Sequence, residues 1–275
     1  LVESWGPSLD AEGVWVRDDF WSGSAPQETE LGGGFRAFFR GNVGTFVNYR
    51  LRSYDFAPTF YDGYFSGASA GTLAPTTSDQ ARFDGLHSLS LRGWVNTWRS
   101  VQLSLGGGWA QTPIFASGAP LDLGESWSGD AGVTLVPTGR MQFELGARHV
   151  SIFRSRDGSR YSSATIPRVQ ARYQITRAMY VRGIGEYASQ ERGALLDPAT
   201  GQQVWRCDGA DCDAVAASNT NDFRVEGLLG YEPSPGTVLF LGYTRQFRDT
   251  SAFEFRDVRP TADGLFVKLS YRFRM

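Results

Sequence analysis

Apolar and polar residues alternate along most of this chain with a period of two. The clearest run is Leu265, Val267, Leu269, Tyr271 and Phe273 on one side against Lys268, Ser270 and Arg272 on the other, with Phe266 as the exception. Phe223, Val225, Leu229 and Tyr231 oppose Arg224 and Glu226; Val169, Ala171 and Tyr173 oppose Arg168, Gln170 and Arg172. Met141, Phe143 and Leu145 oppose Gln142, Glu144 and Arg148, and Trp127, Ala131 and Val133 oppose Ser128, Asp130 and Thr134. Side chains of an extended strand point alternately to its two faces, so each run predicts a strand with one apolar and one polar face. The pattern places strands at 8–17, 31–40, 43–54, 84–96, 100–110, 124–136, 140–153, 161–175, 179–189, 219–232, 237–248 and 263–274, about twelve in all.

The connections alternate as well. Tight turns are predicted at Gly41-Asn42, Asn96-Thr97, Pro137-Thr138-Gly139, Thr176-Arg177 and Pro233-Ser234-Pro235-Gly236. Longer polar loops are predicted at 18–30, 55–82, 111–123, 154–160, 190–218 and 249–262. A soluble antiparallel sandwich would alternate in the same way. Strands of about 10–14 residues, however, exceed the usual globular length of about 5–6. Short turns at one rim and long loops at the other are the pattern of outer-membrane barrels. Two aromatic girdles are expected, Trp94, Trp98, Tyr173, Tyr180, Tyr231, Tyr271 and Phe273 at one rim and Trp109, Trp127, Phe153, Tyr187 and Phe247 at the other. The expected fold is therefore all-β, an antiparallel up-and-down transmembrane β-barrel spanning 1–275 as a single domain.

Composition sharpens this picture. Among 275 residues there are 33 Gly and 14% aromatics, and no stretch approaches the roughly 18 apolar residues of a membrane-spanning helix. A formal net charge of −2 gives no basic field for nucleic acid. Leu1 is not an initiator Met, and the chain reads as a mature or truncated product. Lys268 is the single Lys, and every other cation is Arg. The polar faces carry Arg50, Arg92, Arg148, Arg168, Arg172, Arg182, Arg224, Lys268 and Arg272, together with Asp130, Glu144, Glu186 and Glu226. They are expected to line a lumen, either as a cation-rich path for anionic solutes or as a ladder of Arg–carboxylate pairs.

Candidate chemistry is sparse. His149 and Ser151 share the apolar face of one strand, the spacing a serine nucleophile and its base would need. Outer-membrane lipid hydrolases resemble this His-x-Ser pair, but theirs is followed by Asn and Gly, whereas Ile152-Phe153 follows here, and no orienting carboxylate is evident. His87 stands alone, and no metal site or cofactor is expected. Cys207 and Cys212 flank a polar stretch with Asp208, Asp211 and Asp213; a disulfide is expected over a Ca²⁺ site, which would need about 6–8 oxygens. Arg154, Arg156 and Arg160 could meet lipopolysaccharide phosphates or equally form a solvated charged loop. Gly32-Gly33-Gly34 and Gly106-Gly107-Gly108 are not phosphate loops; within strands, Gly permits bends and close side-chain packing.

The segment Gly264 to Phe273 resembles the C-terminal signal strand of outer-membrane proteins, which the barrel-assembly machinery reads. That resemblance assigns the signal to Leu269, Tyr271 and Phe273, although Arg274 and Met275 follow the last aromatic. The stretch Tyr231-Glu-Pro-Ser-Pro-Gly-Thr-Val-Leu-Phe-Leu-Gly-Tyr243 resembles the C-terminal region of an uncharacterised bacterial family. Members of that family often carry an N-terminal carbohydrate-binding-like module. These resemblances imply a location in the bacterial outer membrane. They imply outer-membrane lipid, lipopolysaccharide and the assembly machinery as partners, with a periplasmic module or envelope proteins beside them. The expected role is a non-enzymatic pore or membrane anchor. A lipid hydrolase and a soluble sugar-binding β-sandwich are the alternatives.

Overall fold

The computed structural model describes residues 2–15, 21–23, 26–76, 82–116, 119–234 and 236–271. Twelve long strands form one sheet. They are β1 (Val2–Val14), β2 (Glu28–Phe39), β3 (Val43–Asp55), β6 (Arg82–Val95), β7 (Val101–Ala116), β8 (Ala119–Thr138), β9 (Met141–Arg154), β10 (Arg160–Gln174), β11 (Met179–Arg192), β14 (Ser218–Ser234), β15 (Thr237–Asp249) and β16 (Arg259–Ser270). They lie in that order, so every strand neighbours the next long strand along the chain. Each such pair is antiparallel. The architecture is an up-and-down meander, and β1 and β16 end the strand order; among the described residues no pairing joins them.

Four short strands form a second sheet in the order β13-β12-β4-β5: β4 (Tyr64–Ser66), β5 (Ala74–Pro75), β12 (Val204–Asp208) and β13 (Asp211–Ala214). They come from the two longest connections, both predicted as loops. Among the boundaries that differ from expectation, two stand out. The first strand runs over Val2–Val14 rather than 8–17. The predicted loop 111–123 is largely strand, because β7 and β8 continue past it as a long hairpin in which Pro113 stands opposite Leu123.

Register fixes the faces. Leu31, Tyr49, Leu89, Leu105, Trp127, Leu145, Val169, Leu241 and Leu265 lie on one face of the long sheet and remain exposed. An exposed apolar band of this extent is far larger than a soluble monomer carries. Phe266, the exception in the alternation, lies on the polar face over Gly242, where its ring fills the space a Cβ would need. Two expected girdle residues also lie on the polar face. Trp94 packs there against Phe38 and Phe46, and Tyr180 lies under Arg172 with 4.3 Å from the guanidinium carbon to the ring centroid. Their place near strand ends suggests a girdle, but parity sets Trp94 on the side of Arg92 and Tyr180 on that of Arg182, and Gly44 and Gly230 opposite these rings leave room inward. Trp98, Tyr173, Tyr231 and Tyr271 are exposed as expected, and Phe273 lies outside the described residues.

The buried apolar cluster sits at the long-loop end. Phe56, Tyr61, Tyr64, Leu195 and Val204 from the connections pack on Phe83, Leu86, Ile114, Leu121 and Tyr161 from the long strands. Leu195 and Val204 are 0% exposed. At the other rim, Val2 pairs with Phe39 beside the β2–β3 turn and Ser270 with Val238 beside the β14–β15 turn, so both ends of the sheet start and finish on the short-turn side.

Candidate functional site

The polar face carries charge that mostly pairs across strands. Glu30 on β2 takes Arg50 at 2.9 Å and also bonds Arg52. Arg92 on β6 reaches Asp130 on β8 at 3.7 Å, bridging over β7. It can do so because the intervening residue is Gly106: a Cβ there would stand 2.5 Å from the Asp130 carboxylate. Gly32 leaves the same vacancy for Asp10. On β10, β11 and β14, Glu186 accepts Arg168 at 3.5 Å and Arg224 at 3.3 Å, and Arg224 also meets Glu226 at 3.2 Å. Glu144 accepts a hydrogen bond from Gln142 at 2.8 Å.

Not every cation has a carboxylate. Arg148 stands in register with Asp130, Arg172 faces Arg182, and Lys268 faces Phe240, and none of the four makes an ion pair among the described residues. Arg182 Nε is buried without a hydrogen-bond partner. Arg272 lies outside the described residues. The face is open to water: the Arg92 side chain is 67% exposed, so each exposed pair contributes no more than about 1 kcal/mol. A hollow of about 380 Å³ on this face is lined by Trp94, Gln102, Thr134, Glu144, Arg168 and Gln170 from β6 to β10. Sequence reasoning did not single out Glu30 and Arg52, although their even spacing from Arg50 along β2 and β3 carries the signal.

Above the charged wall the two long connections meet. Trp205 pairs with Phe65 and Arg206 with Tyr64, and the Trp205 indole donates to the Gly67 carbonyl at 3.0 Å. The arms leave the sheet at β3–β6 and β11–β14, with six strands between them, so they bridge across the rim. The Cys207–Cys212 disulfide crosses the β12–β13 hairpin at directly opposed positions. Among the described residues no group of three or more His, Cys, Asp or Glu side chains is placed to hold a metal. Arg154 and Arg156 hold this cap instead of facing outward. Arg154 donates to the Ala194 carbonyl at 2.6 Å and Arg156 to the Asp197 carbonyl at 3.2 Å. Arg160 alone of the three pairs in the open, with Glu191 at 2.8 Å. Within the cap core, burial pushes the Tyr61 phenol up to about 12.

His149 and Ser151 lie on the apolar face of β9. His149 Nε2 is 2.8 Å from Ser151 Oγ, and His149 Nδ1 is 2.8 Å from Thr165 Oγ1 on β10. Thr165 was not foreseen, because cross-strand register is not written in either strand alone. His87 also lies on the apolar face, where its ring is hydrogen-bonded to the Tyr49 hydroxyl at 2.5 Å.

No family model matches the chain, and no curated protein does. Among solved structures, it is similar to the outer-membrane-expressed OmpT of Vibrio cholerae at 9% identity and a TM-score of 0.40, over 80% of this chain and 79% of that one. The in-vitro folded form of OmpT, an outer membrane protein of Vibrio cholerae, gives 9% identity and a TM-score of 0.41 over 98% and 96%. Likeness this distant carries no weight for the function of this chain.

Proposed function

We propose that the twelve-stranded sheet closes, β1 against β16, into a barrel in the bacterial outer membrane, and that the barrel is a capped membrane anchor rather than a standing pore. Lipid covers the apolar face, because strands that cross a bilayer need all their backbone groups paired and one face apolar. Strands of 12 or more residues exceed the roughly 9–11 that a tilted crossing takes. Leu269, Tyr271 and Phe273 serve as the assembly signal. The resemblance of residues 231–243 makes a periplasmic module, attached at the short-turn rim, the load the anchor carries.

The observation that carries the anchor reading is the cap. Its arms hydrogen-bond to each other across the long-loop rim and bury the apolar cluster of the molecule beneath them. The experiment is conductance in planar bilayers. The parent chain is expected to insert and remain electrically silent. A Leu195→Asp/Val204→Asp variant, with charge forced into the cap core, is expected to give stepwise currents that favour anions, since Arg148, Arg172, Arg182 and Lys268 make no ion pair among the described residues. Steady stepwise conductance by the parent would overturn the anchor in favour of an open pore.

A further inference from the structure

We propose that Ser151, His149 and Thr165 form a catalytic site that cleaves acyl esters of lipids lying against the barrel wall. The inference rests on the membrane placement proposed above. Three observations carry it. The first is the relay. With Nδ1 protonated and donating to Thr165 Oγ1, His149 Nε2 is free to accept the Ser151 hydroxyl proton, and both contacts are 2.8 Å. This is the geometry of a nucleophile, its base and an orienting group.

The second is depth. Ser151 lies three residues before the end of β9 at Arg154, roughly 7 Å along the barrel axis for a strand tilted about 45°. Trp127 stands directly across from it, paired in turn with Trp109 at 6.5 Å between ring centroids. Aromatic girdles mark the membrane interface, and the ester bonds of lipids lie at that level.

The third is a berth. Gly129 stands across from His149, and nothing lies within 4 Å of where its Cβ would be. Ala131 and Ala147 face each other next along the same strands. These small residues leave open space on the wall beside His149, on the side toward the bilayer centre, where an acyl chain can lie. Ser151 is 7% exposed, so the ester enters over the exposed His149 side.

In the reaction, Ser151 Oγ attacks the ester carbonyl as its proton passes to His149 Nε2. The carbonyl–oxygen bond to the lipid alcohol breaks, and that alcohol leaves with the proton from His149. Water then attacks the acyl-serine with His149 again as base. Fatty acid is released and the Ser151 hydroxyl restored. The Trp127 indole, on the residue directly across from Ser151, is the N–H donor proposed for the oxyanion. Thr165 is a positioning residue.

The test uses the full chain refolded in detergent and reconstituted in vesicles. One arm contains diacyl phospholipid and the other lipid A, since the acyl ester could come from either. A fluorophosphonate probe reads the nucleophile independently of substrate. The expected result is probe attachment at Ser151 and fatty acid release in at least one arm. Ser151→Ala should lose at least about a thousandfold, and His149→Gln about 10²–10⁴-fold. Thr165→Val should shift the pH profile of turnover, which a merely structural role would not do. Gly129→Leu should keep the probe label and weaken lipid turnover. A chain that floats with vesicles but neither takes the probe at Ser151 nor releases fatty acid overturns the site and leaves the anchor standing. Unchanged release by Ser151→Ala does the same.

Discussion

Tyr61 ties the cap to pH. Its phenol is neutral in the apolar core, and burial holds its pKa near 12 against about 10 in an unfolded chain. A raised pKa for a group that charges on losing its proton favours the fold fully below pH of about 10. That contribution fades as pH rises from about 10 toward 12. The cap should therefore loosen across that window, read as new protease cuts within 193–217, and Tyr61→Phe should lose that dependence. Other residues of the site were legible to different degrees. Arg50, Arg168 and Arg224 could be placed from face parity alone, because a strand side chain has only two directions. Their partners could not all be placed: Arg92 finds Asp130 two strands away, over a glycine, and parity is silent about reach. Arg154 and Arg156 fall in the polar loop predicted at 154–160, where lipopolysaccharide phosphates or solvent are the expected contacts. Their guanidinium groups turn to backbone carbonyls of another connection, which local sequence does not encode.

At the scale of elements, the long strands were readable wherever one face is apolar and the other polar, as in β9, β10 and β14. The β7–β8 hairpin was misread because Pro113, Gly118 and Pro120 look like punctuation. Pro interrupts a ladder only where its missing N–H is needed, and at the projecting tip of a hairpin it is tolerated. The second sheet was not legible at all. Its strands are two to five residues long, below any periodicity, and their partners lie in another connection. The cap nonetheless depends on few side chains. Leu195 is fully buried at its centre, so Leu195→Ala should cost about 2–5 kcal/mol of local stability, from the lost burial of its methyl groups together with the cavity left behind. Hydrogen exchange should show that loss in β4 and β12 and leave β8, β9 and β10 unchanged. An even loss across the long sheet would mean that cap and wall unfold as one unit.

For the whole molecule, the exposed apolar band and the long meander make the same prediction. The chain should be extracted from the outer-membrane fraction only by detergent, and should migrate faster on a gel unheated than boiled. Purification without detergent would return the soluble sandwich to contention. The cap also has a history in assembly. Trp205 reaches the Gly67 carbonyl across 138 residues of sequence, whereas each hairpin of the wall closes over a single turn or loop. Contacts between distant parts of a chain pay their closure entropy before any reward, so they form late. Neighbouring strands zip first, and the lid drops only once β6 through β11 stand between its two arms. If the sheet closes as proposed, insertion should therefore pass through a leaky stage, and maturation should end on a sealing step that can be timed.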